Sequence, residues 1–142
     1  MKKTHGRKKL ISLVITVIVF CSMFVLQVQA YSTKNFSGKV LVENDPRTVT
    51  TFSGSADYNI GVIVSTNTMV GSYILGTPYI RVCRSGFDSD YQSYSYDDIM
   101  NDVIKFFPEA ANGNKAYTVE GMSDSGILFT HMCCISGQVR YM

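Results

Sequence analysis

Tryptophan is absent from the 142 residues, and proline, histidine and cysteine number only three, two and four. His5 belongs to the basic start of the chain, so His131 is the one imidazole in the remainder. A zinc site needs three or four N, S or O ligands in fixed geometry. His131, Cys133 and Cys83 are the set within reach, and no C-x₂-C pair accompanies them. His131 and Cys133 stand two positions apart and would share one face of a strand, the geometry of a conceivable Cys–His nucleophile pair. No local signature surrounds them. The chain also lacks a G-x-S-x-G elbow for a serine hydrolase and any G-x-G-x-x-G or Walker pattern for phosphates. Nothing in the sequence therefore calls for a cofactor.

Acidic residues are missing from the whole beginning of the chain, where Glu43 is the first. Lys2, Lys3, Arg7, Lys8 and Lys9 make an unopposed basic start, and residues 10–26 follow with only Ser12, Thr16 and Ser22 as hydroxyls. Gln27-Val28-Gln29-Ala30 then places small residues at −3 and −1 of a cut after Ala30. Basic region, apolar core and small-residue site are the plan of a secretory signal peptide. Residues 1–30 are read as that signal, and residues 31–142 as a single exported domain, secreted or extracytoplasmic. The alternative is an uncleaved anchor through residues 10–26, near the lower limit of a bilayer span, with the domain still facing outward. Cys21 follows Phe20 deep in the apolar core, which argues against a lipoprotein signal. Asn35-Phe36-Ser37 is a formal glycosylation sequon.

Without residues 1–30 the charge balance reverses. Eight Lys and Arg face eleven acids in residues 31–142, a net of −3. Nucleic acid loses its main support as a partner, because phosphate binding needs a basic surface. All nine tyrosines lie in this part. Aromatic and hydroxyl residues suit a pleated, half-exposed sheet, and Tyr with Ser and Gly also makes adaptable contact surfaces.

Three cysteines remain beyond Cys21, an odd number in an oxidising compartment. Cys83 is a disulfide candidate with Cys133 or Cys134, and the sequence does not choose between them. The thiol left over would be buried or would link two chains into a homodimer. Core thiols at all three positions are the remaining alternative.

Periodicity predicts strands at 36–42, 47–53, 60–65, 69–75 and 79–84, after a short polar arm at 31–35. On the fifth, Ile80 and Val82 share one face against Tyr79, Arg81 and Cys83. Residues 85–95 read as a polar loop. Tyr96, Ile99, Met100, Val103, Ile104 and Phe107 then recur at three and four, which predicts one amphipathic helix over about 96–107. Ser95 is a fitting N-cap with Asp98 at the capping-box position, and Pro108 and Asn112-Gly113 end the pattern. Further strands are expected at 116–120, 127–134 and 138–142, with a turn or bulge at Ser136-Gly137. The fold class is α+β and mainly β: an antiparallel sheet or sandwich of about 7–8 strands with one helix, preceded by the N-terminal signal helix.

Asp88 and Asp90, leading to Ser93, Ser95, Asp97 and Asp98, form the densest oxygen cluster and a weak calcium candidate. They lack the glycine and closing glutamate of a calcium loop. The expected function is a small exported, non-enzymatic module that binds a protein, glycan or cell-envelope component through Tyr91, Tyr94 and Tyr96. A secreted antagonist of the bacteriocin or inhibitor type is the second reading, and a small hydrolase using His131 with a Cys or Ser is the third.

Overall fold

Tyr117, Val119, Gly121 and Ser123 are buried while the residues between them are more open, the period-two signature of a sheet with one face on a core. That pattern governs most of a computed structural model that describes residues 31–142. The signal peptide, its cut after Ala30 and the alternative anchor at 10–26 lie outside the described residues. The elements are β1 (Ser32–Val42), β2 (Arg47–Ala56), β3 (Ile60–Thr68), β4 (Ile74–Leu75), β5 (Pro78–Arg84), β6 (Phe87–Asp88), β7 (Gln92–Ser93), α1 (Tyr96–Met100), β8 (Lys105–Phe106), a 3₁₀ turn (Pro108–Ala110), β9 (Gly113–Ser123) and β10 (His131–Tyr141).

Two five-stranded sheets result. One has the order β1-β10-β3-β8, with β4 beside the start of β10; the other has the order β2-β9-β5-β6, with β7 also on β5. All named strand pairs are antiparallel except β4 with β10. The expected mainly β architecture with antiparallel sheets and a helix is therefore present. The buried cluster draws Leu41, Val62, Val64, Ile135 and Val139 from the first sheet and Val49, Phe52, Ile80, Val82, Tyr117 and Val119 from the second. Gly121 is required where these meet. A Cβ there would lie 2.8 Å from Ile80 Cδ1 and 3.0 Å from both Leu41 Cδ2 and Val49 Cγ2.

β1 runs antiparallel along β10, from Ser32 opposite Tyr141 to Val42 opposite Met132. Tyr31 and the C-terminus thus share one end of the first sheet, and the loop before His131 lies at the other. At the terminal end Phe52 stacks between Tyr117 and Tyr141, with ring centroids 5.1 and 4.4 Å away. The Met142 carbonyl accepts from the amides of Asp57 and Tyr58 at 2.8 and 3.3 Å.

Several expectations need correction. The helix spans only Tyr96–Met100, although its capping box forms as predicted: Asp98 N–H donates to Ser95 Oγ at 3.1 Å and Ser95 N–H to Asp98 Oδ2 at 2.9 Å. Asp102 takes φ 49° and turns the chain out of the helix. Lys105 and Phe106 then pair with Val62 and Gly61, and Phe107 N–H donates to the Ile60 carbonyl at 2.8 Å. Completing the edge of β3 outweighs continuing a short helix, and the apolar residues at helical spacing serve a strand instead. Gly61 leaves room for them, since a Cβ there would lie 2.8 Å from Ile104 and 3.2 Å from Phe106. The arm at 31–35 belongs largely to β1. The strands expected at 69–75 and 127–134 shrink to Ile74–Leu75 and to a β10 that starts at His131 and runs through Ser136-Gly137 with a register shift. Cys83, Cys133 and Cys134 are free thiols, so the expected bridge from Cys83 is not formed.

Candidate functional site

The loops removed from those two strands meet at the end of the sandwich remote from Tyr31. Ile127, Leu128 and Phe129, successive residues of the β9–β10 loop, are 100, 82 and 65 % exposed. Beside them the β3–β4 connection exposes Met69, Tyr73, Ile74 and Leu75. Val70 to Tyr73 closes as a turn, with Tyr73 N–H donating to the Val70 carbonyl at 3.1 Å and Gly71 at φ 55°. Scattered exposed apolar residues are ordinary, but a contiguous group of this kind marks a contact surface.

A polar knot fixes this end. The Thr77 amide donates to Asp124 Oδ1 at 2.7 Å, and the Asp124 amide donates back to the Thr77 carbonyl at 3.0 Å. Gly76 N–H reaches the Met132 carbonyl at 3.2 Å. Only glycine fits at 76, because a Cβ would fall 1.8 Å from Ser123 Oγ. The His131 amide donates to Glu43 Oε2 at 3.2 Å. His131 Nδ1 stands 3.2 Å from Asp124 Oδ1, within ion-pair distance but without the alignment of a hydrogen bond. The exposed tip therefore projects from an anchored base.

Next to the knot a groove of about 370 Å³ is lined by Asn67, Leu75, Thr77, Tyr96, Ile99 and Met100 among others. Its lining carries hydroxyls, a carboxamide and apolar groups but no charged side chain. Asn67 Nδ2 donates to the Gly76 carbonyl at 3.0 Å, and its Oδ1 is buried without a partner.

Of the three tyrosines expected to form one binding surface, Tyr94 and Tyr96 both line this groove and Tyr91 does not. Tyr94 is a core residue: it is 1 % exposed, its hydroxyl donates to the Val62 carbonyl at 2.7 Å, and burial raises its pKa. Tyr91 is half-buried beneath the Arg81 guanidinium, 4.8 Å from the ring centroid, and burial raises its pKa too. Tyr96 is exposed and borders the groove. The sequence placed Tyr94 in a polar loop, where no periodicity tells a buried face from an exposed one.

Asp88 faces a guanidinium. It lies 3.5 Å from Arg81, which is held more closely by Glu120 at 2.7 Å. Asp90 is exposed, and its backbone carbonyl accepts from Ser89 Oγ at 3.1 Å. Among the described residues no three His, Cys, Asp or Glu side chains gather to hold a metal. Cys133 is buried in the core, and burial pushes its thiol up to about 12, against a smaller opposing hydrogen bond from Ser123. Burial likewise pushes Cys83 up to about 12. Such thiols hold almost no thiolate at neutral pH, the form a nucleophile needs.

The apolar tip was hidden in the sequence because Ile127-Leu128-Phe129 resembles the start of a buried strand. Gly126 just before it is the available signal. A Cβ at Gly126 would lie 2.2 Å from the Phe129 carbonyl oxygen, so the chain folds back tightly there. No family model, no curated protein and no solved structure matches this chain.

Proposed function

We propose that residues 31–142 are an exported, non-enzymatic binding module whose contact surface is the apolar end formed by Ile127–Phe129, Met69, the residues 73–75 and Tyr96. The partner is a protein, a glycan or another component of a cell envelope. Export is supported by the basic start, apolar run and Val28/Ala30 site of residues 1–30. The contact surface rests on one observation above all: three large apolar side chains in succession stand in solvent on an anchored loop. Leaving them there forgoes roughly 1.5–3 kcal/mol per side chain that burial would supply, and a partner is the natural source of that burial.

The test is binding of fluorescently labelled residues 31–142 to intact cells and to envelope fractions. Replacing Ile127, Leu128 and Phe129 together by Ser is expected to reduce retention at least tenfold with an unchanged melting temperature. Tyr96→Ala is expected to weaken it less, and Tyr91→Phe to leave it unchanged. Retention indifferent to the triple replacement would refute the assignment of this surface. A hydrolytic activity abolished by His131→Ala in a still-folded protein would refute the non-enzymatic reading.

A further inference from the structure

We infer that the apolar end docks on a lipid bilayer, with Ile127, Leu128 and Phe129 entering the interfacial layer; the inference rests on the contact surface assigned above and names its partner. The deciding feature is charge. No Asp, Glu, Lys or Arg occurs between Asp57 and Arg81 or between Asp124 and Arg140. Those two uncharged stretches supply the β3–β4 and β9–β10 loops of this end, and the β1–β2 turn beside them carries Glu43 and the exposed Asp45–Arg47 pair at 3.0 Å.

Titratable groups gather at the base of the tip. His131 begins β10, Asp124 holds Thr77 and faces His131, and Glu43 accepts from the His131 amide. A protein partner normally meets a polar rim in which charges set register and orientation. A bilayer instead penalises any charge carried into it, and residues 69–75 and 125–130, which supply the apolar side chains, carry none. Tyr73 and Tyr96 are exposed beside the apolar residues, and tyrosine favours the level of the headgroups.

The backbone limits the depth. The tip is a loop rather than a helix, so its peptide groups cannot all be satisfied internally and must remain among headgroups and water. The side chains alone enter, as in shallow interfacial binding. With a domain net charge of −3 and no basic cluster at this end, attraction is apolar, so zwitterionic lipid suffices and salt has little effect.

The test uses residues 31–142, which contain every strand of both sheets and form one compact unit, mixed with vesicles of phosphatidylcholine. Because the chain has no Trp, Phe129→Trp provides a single reporter whose emission should shift to the blue when vesicles are added. The unlabelled protein should co-float with vesicles equally at low and high salt. Each of Ile127→Ser, Leu128→Ser and Phe129→Ser should lower the partition constant about tenfold, with folding verified by thermal melting. Absence of co-flotation, co-flotation unaltered by the triple Ser replacement, or release by salt would each overturn the lipid assignment. So would a dimer that depends on the tip and does not float, which would make a second copy the occupant. If the triple replacement abolishes retention on cells while vesicles are ignored, the contact surface stands and the lipid falls. If neither binding depends on the tip, both fall.

Discussion

Asp98 makes three contacts at once, two with Ser95 and one with Lys105. Its carboxylate caps the Ser95 amide, its own amide is capped by Ser95, and Lys105 Nζ lies 2.9 Å away. The Lys105 contact first and the Ser95 bonds second hold its pKa down to about 2, from an ordinary 3.8. A carboxylate depressed in the folded state contributes its full stability above the unfolded value and loses it as pH falls toward the folded one. Asp98→Asn should therefore melt below the wild type near neutrality, and the two curves should converge between pH 4 and pH 2; a constant gap across that window would refute the linkage. The cysteines differ in the same residue-level way. Cys83 and Cys133 are buried and Cys134 is half-exposed. Native alkylation of residues 31–142 should modify Cys134 alone, and unfolding should expose all three. Any disulfide-linked pair of chains would then form through Cys134.

At the scale of elements, the two-residue strands β4, β6, β7 and β8 work as patches along longer strands. β4 is the most consequential, since it ties the end of the first sheet to the β9–β10 loop through Asp124 and Thr77. Asp124→Ala should leave the Thr77 amide unpaired, cost about 1–3 kcal/mol, and raise hydrogen exchange at Thr77 and His131 more than in the core of β9. Uniform exchange would show that the knot does not anchor the loop. The long strands were legible in the sequence because alternation reports one-sided burial: Ile80 and Val82 face the core, and Arg81 faces Glu120 outside it, as their parity predicts. The capping box was equally legible, being a local contact. The end of α1 was not, because the pairing of Lys105 and Phe106 with Val62 and Gly61, more than 40 positions earlier on β3, overrides a helical period. The contact surface was misread for a related reason. Apolar residues at 69–75 and 127–129 look alike whether they enter a core or stand in solvent, and only the third dimension separates the cases.

The domain formed by residues 31–142 has two unlike poles. One is closed by Phe52 between Tyr117 and Tyr141 and by the Met142 carbonyl; the other carries the apolar tip. Phe52→Ala should remove about 3–5 kcal/mol of stability, read from denaturant unfolding, while leaving binding by the folded fraction intact. Loss of binding in the folded variant would mean that the poles communicate. Ser32 opposite Tyr141 also means that Tyr31 and Met142 both lie at the closed pole. The eleven residues of β10, at roughly 3.3 Å each, put the tip about 35 Å beyond that exit. The domain is consequently a single-handled tool: a tag or a fused cargo joined at Tyr31 or Met142 would attach at the handle, away from the working edge.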